Sequence, residues 1–389
     1  MAISQKMIDF AQSSSWIRRM FEEGARLKAL HGADQVCDFS LGNPDLPPPK
    51  QYAAAIGRVV EEEKPGSHSY MPNGGYPFVR AAVAAQVSKE QGVEINEEEV
   101  LMTVGAAGGL NVALKALLDP GDEVIILAPF FVEYHFYVDN HGGETRVVNT
   151  REDFSLDLEA IKGAIGPKTK GIIINSPNNP TGQIYSAQEL ADLAALLAQA
   201  EQSIYLIADE PYRKIVFDGH QAPSIFKAYP NSLVISSYSK DLSLPGERIG
   251  YIAVHPEIAD KQPLLGAMTL ANRILGFVNA PALSQRVVAQ LQGVTVDTAI
   301  YARRRKLFCQ VLGEAGYEFI PPKGAFYLFP RSPIADDAEF VRVLAAEKIL
   351  AVPGRGFGLP GYFRLAFCVE DEVISRAAPG FAAALATVR

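Results

Sequence analysis

The sequence is poor in the features that mark several large classes of protein. It has only three cysteines among 389 residues, Cys37, Cys309 and Cys368, whose spacing fits neither a disulfide framework nor a metal site. It contains no long basic run and its formal net charge is −8, which argues against nucleic acid as the main partner. No apolar run approaches the length of a membrane span, and the opening residues lack the apolar segment of a signal peptide. We therefore expect a cytoplasmic protein with buried free thiols, no bound metal and no membrane partner.

What the sequence does contain is a series of short apolar runs separated by helical patterns. The apolar fraction is 48% and the charged fraction 21%, which is ordinary for a globular protein with a large core. The runs cover residues 123–127, 171–174, 204–208, 233–235 and 251–254, with a further strand expected at 100–104. They are continuous rather than alternating, which is typical of strands buried on both faces of a mostly parallel sheet. Helical patterns at 132–141, 158–165 and 187–201 lie between them, so we predict an α/β doubly wound domain.

Polar or small residues follow directly after four of these runs. The four segments are residues 105–107, 178–182, 209–212 and 237–240. Ligands of open parallel sheets bind outside the carboxyl ends of the strands. The four segments are therefore predicted to meet in one ligand site.

Lys240 is the residue in these segments with the clearest chemical meaning. Burying an ammonium group is costly unless it is paired, whereas a desolvated amine with a lowered pKa can form a Schiff base with a carbonyl compound. Ser237, Ser239 and Arg248 add two hydroxyl donors and a guanidinium fork, a group that suits a phosphate. This stretch predicts an aldehyde that carries a phosphate and is held through its carbonyl by Lys240. An ordinary surface loop remains the alternative at this stage.

A second anion site is expected where a strand leads into a helix at Gly105, Ala106 and Ala107. Free amides and the helix dipole favour a phosphate at such a turn. The pattern is not G-x-G-x-x-G and no acidic ribose partner stands out downstream, which argues against a nicotinamide dinucleotide. A close-packed helix start without a ligand remains open.

The character of the sequence changes from about residue 295. A long helix is expected at 296–315, and its basic run at 303–306 is interpreted as a solvated face. Strands are expected at 324–329 and 362–368, with a helix between them. These elements predict a second, smaller α+β domain. Residues 38–49 are rich in proline and glycine, which predicts a domain boundary and a stiff segment that crosses from one domain to the other. We call these residues the crossing segment.

Taken in order, the motifs resemble those of the fold-type-I aminotransferases that use pyridoxal 5′-phosphate (PLP), the class I/II group that includes aspartate aminotransferases. The likeness covers nearly the whole chain and rests on residues 42–45, Tyr70, 178–182, 209–212, 237–240, Arg248 and Arg364. It implies a large PLP-binding domain over residues 48–294 with a mostly parallel, doubly wound sheet. It also implies a smaller α+β domain built from both termini, with residues 1–47 and 295–389.

The resemblance implies roles for the residues around the cofactor ring. Lys240 would form the Schiff base and then shuttle a proton between the substrate Cα and the cofactor. Asp209 would pair with the pyridine nitrogen and keep it protonated. Tyr212 and Asn179 would hydrogen-bond the ring 3-oxygen, and Phe131 would stack on the ring.

The resemblance also implies how the two charged ends of the ligands are held. The phosphate would be bound by the small-residue turn and three side chains, namely Gly105, Ala106, Ala107, Ser237, Ser239 and Arg248. Tyr70 would reach the phosphate of the neighbouring subunit, which implies a homodimer with shared active sites. Arg364 would bind the substrate α-carboxylate, assisted by the Gly42 amide and Asn179.

The implied function is transfer of an amino group from an L-amino acid to a 2-oxo acid, 2-oxoglutarate being the expected acceptor, by a ping-pong mechanism. Aspartate is the first expected donor. A dicarboxylic donor would need a second cation, for which Arg273 is the candidate. Alternatively, Trp16, Tyr70, Phe131 and Phe357 would form an apolar pocket for an aromatic or aliphatic side chain.

The sequence leaves two alternatives to an aminotransferase. A C–S β-lyase would use the same scaffold, and no residue separates it from an aminotransferase. A non-catalytic ligand-sensing domain of a regulator is disfavoured, because no helix-turn-helix extension is left over and Lys240 is retained.

Overall fold

The computed structural model describes the backbone of residues 3–13 and 15–389, and the side chains of residues 3–11 and 22–389. Its strands in chain order are β1 (Cys37–Asp38), β2 (Val100–Thr103), β3 (Glu123–Ala128), β4 (Glu144–Asn149), β5 (Thr169–Asn175), β6 (Tyr205–Asp209), β7 (Ser232–Ser237), β8 (Gly250–Val254), β9 (Tyr327–Leu328), β10 (Ile349–Leu350), β11 (Val352–Pro353) and β12 (Phe363–Ala366). Seven of them form one sheet in the order β2-β8-β7-β6-β5-β3-β4. From β7 to β4 the neighbours are parallel, and β8 runs antiparallel to both β7 and β2. The predicted mostly parallel sheet is confirmed.

Helices cover both faces of this sheet. They are α1 (Gln5–Ser13), α2 (Ser15–His31), α3 (Lys50–Glu61), α4 (Pro77–Gln91), α5 (Gly105–Leu117), α6 (Glu133–Asp139), α7 (Leu158–Ala164), α8 (Ala187–Leu197), α9 (Ile225–Ala228), α10 (Lys261–Ile274), α11 (Ala282–Ala289), α12 (Thr298–Ala315), α13 (Asp337–Ala346) and α14 (Asp371–Val388). Successive residues of β3 pack into different cores: Val124 and Ile126 join the core under α5, α6 and α10, whereas Ile125 and Leu127 join the core under α4, α8 and α11. A strand buried on both faces has no polar side, which explains the continuous apolar runs in the sequence.

The strand β4 was not predicted from the sequence. It is the edge strand of the sheet, and most of its residues are exposed or half-buried. An edge strand with a solvated face does not need a continuous apolar run. The pattern used to find the buried strands therefore misses it.

A third core joins residues from both ends of the chain. Phe39, next to β1, packs with Phe308 of α12 and Phe381 of α14. The strand β1 pairs in parallel with β10, and β12 lies between β11 and β9 in an antiparallel sheet. This shared core supports a smaller unit built from both termini. The boundaries 1–47, 48–294 and 295–389 stay a prediction.

The strand expected over residues 324–329 is shorter than predicted. Only Tyr327–Leu328 is a strand. Ala325 has a φ of 56°, in the left-handed region that a residue with a Cβ rarely adopts and that no strand contains. This conformation interrupts the extended backbone just before β9.

The three cysteines differ in burial. Cys37 and Cys368 are buried free thiols as predicted, whereas Cys309 on α12 is only half-buried.

Among the helices within the described residues, none combines the length and the apolarity needed to cross a membrane.

The basic run on α12 is not simply a solvated face, so that interpretation was wrong for Arg304 and only partly right for Arg305, whose side chain is 14% exposed. The Arg304 side chain is buried, and its Nη1 lies 2.8 Å from an Asp45 carboxylate oxygen. Its Nε also lies 3.4 Å from Asp371 at the start of α14. Arg304 therefore joins the crossing segment at Asp45 to two helices of the smaller unit. Its neighbour Arg303 pairs with the same Asp371 but is exposed.

We expect Arg304→Met to lower the free energy of unfolding by about 1–3 kcal/mol. It would leave Asp45 without its cation while keeping the buried stem, and both carboxylates are partly exposed, so the loss is smaller than for a fully buried pair. The matched control Arg303→Met should change it by less than about 0.5 kcal/mol. Urea unfolding of the three proteins measures the difference. Equal effects of the two substitutions would contradict the assignment of Arg304 as the joining residue.

Candidate active site

A cavity of about 310 Å³ lies at the carboxyl ends of the central strands, where the sequence predicted a site. Twelve of the predicted site residues line it: Gly42, Ala106, Ala107, Phe131, Asn179, Asp209, Tyr212, Ser237, Ser239, Lys240, Arg248 and Arg364. They come from segments that follow β2, β3, β5, β6 and β7, together with the crossing segment and β12. The parallel arrangement brings these distant parts of the sequence to one edge.

Lys240 lies three residues after the end of β7, with its amine inside the cavity. Its Nζ donates a hydrogen bond to the Gly42 carbonyl oxygen at 2.9 Å. Burial lowers the pKa of the Lys240 amine from 10.5 to about 8, and the positive charges of Arg364 and Arg248 act in the same direction. About a tenth of the amine is therefore unprotonated at pH 7, far more than for an exposed lysine, and this is the form that attacks a carbonyl carbon.

Asp209, the last residue of β6, is a buried carboxylate held by a residue that the sequence did not reveal. The Tyr134 hydroxyl donates to Asp209 Oδ2 at 2.5 Å. Asp209 Oδ1 is buried and has no hydrogen-bond partner among the described residues. Burial raises the pKa of Asp209 to about 6, while the Tyr134 hydrogen bond and the Lys240 charge act in the opposite direction. One oxygen of a fixed carboxylate is thus left to accept a hydrogen bond from a ligand.

One end of the cavity is rich in anion-binding groups. The backbone amides of Ala106 and Ala107 belong to the first turn of α5, where helix N–H groups lack intrahelical partners. The Ser237 and Ser239 hydroxyls also line the cavity, and neither is engaged with another described residue. Arg248 adds a guanidinium group. Together these groups suit a phosphate.

Gly105 leaves room for the Arg248 guanidinium group beside the phosphate-binding residues. Its φ is +71°, and a Cβ at this position would lie 2.8 Å from an Arg248 nitrogen. Only glycine tolerates both the left-handed backbone and this close approach. Gly105 does not itself line the cavity, so the structure places it behind the phosphate end rather than in it.

Arg364 of β12 also lines the cavity. Its guanidinium group donates to Asn179 Oδ1 at 3.1 Å and to the Ser40 carbonyl at 2.6 Å. Its carbon lies 4.8 Å from the ring centroids of both Tyr327 and Phe357. Its Nε is buried without a hydrogen-bond partner in the described part of the chain. A planar cation fixed in this way is suited to bind a carboxylate.

Tyr327 links Arg364 to Tyr212 and Gly42. The hydroxyl groups of Tyr212 and Tyr327 are 2.8 Å apart and share a hydrogen bond. Burial raises the pKa of Tyr327 to about 12, so both groups stay protonated at neutral pH. A Cβ on Gly42 would lie 2.0 Å from the Tyr327 hydroxyl oxygen, so glycine is required there. The sequence singled out Gly42 and Tyr212 but not Tyr327.

Some predicted residues lie elsewhere. Tyr70 is 91% exposed and lies outside the cavity of this chain, and Arg273 on α10 is exposed and does not line it either. Phe357 packs beneath Arg364 rather than lining an apolar pocket. The side chain of Trp16 lies outside the described residues.

The sequence also missed Glu133 and Tyr137, which project from α6 into the same cavity. Glu133, Tyr134 and Tyr137 belong to the helical pattern at 132–141 in the sequence, so no local signal marked them as site residues. Within the described part of the chain, no group of three or more histidine, cysteine, aspartate or glutamate side chains is placed to hold a metal ion.

Comparisons with known proteins agree with this geometry. A family model for aminotransferase class I and II matches residues 34–381. The chain is 34% identical over 363 residues to a probable aspartate/prephenate aminotransferase of Thermus aquaticus, covering 91% of this chain and 92% of that protein. It is 30% identical over 371 residues to an aspartate aminotransferase of Thermotoga maritima, covering 93% and 94%.

Solved structures show the same fold. An amino transferase of Eubacterium rectale superposes with a TM-score of 0.96 at 38% identity, covering 100% of both chains. The aspartate aminotransferase of Thermus thermophilus with maleate superposes with a TM-score of 0.87 at 28% identity, covering 95% of this chain and 97% of the other. The predicted fold and the predicted reaction class are both confirmed: the chain belongs to the aminotransferase class I and II family.

Proposed function

We propose that this aminotransferase uses PLP to move an amino group from an L-amino acid to a 2-oxo acid in two half-reactions of a ping-pong mechanism. The observation that carries the proposal is a buried amine with a lowered pKa, Lys240, in a cavity shared with a fixed carboxylate, Asp209. Groups suited to a phosphate line one end of this cavity, which Arg364 also lines. The names of the relatives support the reaction class.

The residues present fit PLP by their chemistry. The unpartnered Asp209 Oδ1 is an acceptor for a protonated ring nitrogen. The amides of Ala106 and Ala107, the hydroxyls of Ser237 and Ser239, and Arg248 provide donors for the phosphate, with Gly105 permitting the approach of Arg248. The Phe131 ring lines the wall between these groups. Lys240 provides the amine that would hold the aldehyde carbon.

The chemistry that bound PLP supplies is a carbonyl group to capture the amino group and a ring to withdraw electrons from the substrate Cα. Asp209 keeps the ring nitrogen protonated, because a carboxylate that accepts its hydrogen bond favours the charged form. Tyr212 stays protonated at neutral pH and would donate a hydrogen bond to the ring 3-oxygen. Asn179 would do the same through its amide nitrogen, since its Oδ1 is already engaged by Arg364.

Lys240 is the residue that moves the proton. Its amine takes the proton from the substrate Cα as a general base and returns one as a general acid. A base with a pKa near the working pH performs both steps efficiently, and burial has brought the pKa of Lys240 to about 8. The Gly42 carbonyl bound to its Nζ orients the amine between these steps.

Arg364 orients the substrate. It binds the α-carboxylate through its planar fork, with the Gly42 amide and Asn179 nearby, and so places the Cα beside Lys240. We propose 2-oxoglutarate as the acceptor. Aspartate is the first donor to test because relatives carry that name. Arg273, the predicted cation for a second carboxylate, does not line the cavity of its own chain.

We further propose a homodimer. Tyr70 is almost fully exposed, and the surface around it and α10 also exposes Leu270, Ile274 and Leu283. A partner subunit would cover these apolar side chains and receive Tyr70 at the phosphate end of its own cavity.

The first test is the visible absorption spectrum of the PLP-loaded protein. A single amino acid without acceptor should bleach the band, and 2-oxoglutarate should restore it. Lys240→Ala should lower the rate of bleaching by roughly 10²–10⁴-fold because the general base is lost. Lys89→Ala, an exposed lysine on α4, is the control and should behave like the wild type. Pyruvate and a free thiol produced without any acceptor would instead indicate the C–S β-lyase.

The second test concerns Tyr134. Its hydrogen bond stabilises the charged form of Asp209, so Tyr134→Phe should raise the pKa of that carboxyl above its present value of about 6. The acid limb of the half-reaction rate should therefore move to higher pH, by about one pH unit. The control Tyr185→Phe removes a buried hydroxyl in the core away from the cavity. Coincident pH profiles for Tyr134→Phe and the wild type would show that Tyr134 does not tune Asp209.

A further inference from the structure

Glu133 lines the cavity, but its carboxylate has no role in the proposed mechanism. Among the lining residues of the described chain, the cations are Lys240, Arg248 and Arg364, and the carboxylates are Asp209 and Glu133. Asp209 and the three cations are all assigned to the cofactor or the substrate α-carboxylate. Glu133 is therefore the one charged lining residue of the described chain that remains available to contact the rest of the substrate.

The position of Glu133 is fixed by its neighbours. It is the first residue of α6, and the next residue, Tyr134, is anchored to Asp209. Tyr137 lies one turn further along the same helix and lines the same cavity. The helix is therefore tied to the site at Tyr134, which holds the backbone of Glu133 at the cavity wall.

One oxygen of the Glu133 carboxylate lacks a hydrogen-bond donor. Its Oε2 is buried and has no partner among the described residues. Burial raises the pKa of the Glu133 carboxyl, while its own backbone amide and the charge of Arg364 from β12 act in the opposite direction. The hydroxyl groups nearby are those of Tyr137 from α6 and Tyr327 from β9. None of them forms an ion pair or a hydrogen bond with Oε2 in the described chain. A buried acceptor without a donor is costly unless a ligand supplies the donor.

We propose that Glu133 favours, among amino donors, those whose side chain carries a hydrogen-bond donor such as an amide or a cationic nitrogen. This inference rests on the proposed function, since it concerns the substrate of the same site. The physical reason is that an N–H group satisfies the buried acceptor, whereas a second carboxylate offers no donor and leaves that acceptor unsatisfied.

Asparagine and aspartate provide the matched test, because their side chains have nearly the same shape and differ only in carrying an amide or a carboxylate. In the PLP-loaded protein, the kcat/KM of the first half-reaction should favour asparagine over aspartate by roughly tenfold or more. Glutamine and glutamate give a second pair with one more methylene. Glu133→Gln, which keeps the volume and removes the charge, should reduce or reverse these ratios. Alanine, with no polar side chain, should react at a similar rate in both proteins.

Two further measurements separate this inference from the proposed function. Calorimetric titration with succinamate and succinate, which lack the amino group, reports side-chain preference without turnover, and succinamate should bind more tightly unless Glu133 is changed to Gln. Asp139→Asn, a change of one charge on the same helix outside the cavity, should leave both ratios unchanged. Failure of alanine and all other amino acids to bleach the band would refute the proposed function, and titration would still decide the role of Glu133. A preference for aspartate and succinate, or ratios unaffected by Glu133→Gln, would overturn the inference.

Discussion

The constraint on which the site depends is the burial of the Lys240 amine. In water this group would be protonated and inert as a nucleophile, and its removal from solvent is the largest cause that lowers its pKa to about 8. Burial is tolerated because the Gly42 carbonyl accepts a hydrogen bond from Nζ. The same removal from water raises the pKa values of Asp209, Tyr212 and Tyr327. Burial in one cavity at the edge of the sheet thus brings the pKa of the amine and that of the Asp209 carboxyl towards neutrality.

Much of this arrangement could be predicted from the sequence because a buried parallel sheet leaves a strong pattern. Strands covered on both faces appear as continuous apolar runs, and their carboxyl ends must lie at one edge. Lys240, Asp209 and Asn179 follow such runs directly. The edge strand β4 left no such pattern, and the left-handed backbone at Ala325 shortened a strand that its apolar residues predicted.

The residues that the sequence did not reveal are those whose importance depends on contacts across the fold. Tyr134 looks like any apolar helix residue until its hydroxyl is seen at Asp209. Tyr327 acquires its place from contacts with Arg364, Tyr212 and Gly42, which are far apart in the chain. The burial of Arg304 depended on Asp45 and Asp371, so a basic run alone gave the wrong interpretation. Sequence spacing predicts which strand ends meet, whereas side-chain pairing requires the tertiary structure.

The positions of Gly42 and Arg364 show that the cavity belongs to both parts of the chain. Gly42 lies on the crossing segment and contacts Lys240 of the large unit, while Arg364 lies on β12 and donates to Asn179 beyond β5. Arg304 pairs with Asp45, three residues after Gly42, and so fixes the crossing segment against α12 and α14. A change in how the smaller unit packs would therefore move the carbonyl that binds the Lys240 amine and the guanidinium that would bind the substrate. The relative positions of the Lys240 amine and the Arg364 guanidinium group therefore depend on contacts that lie well outside the cavity.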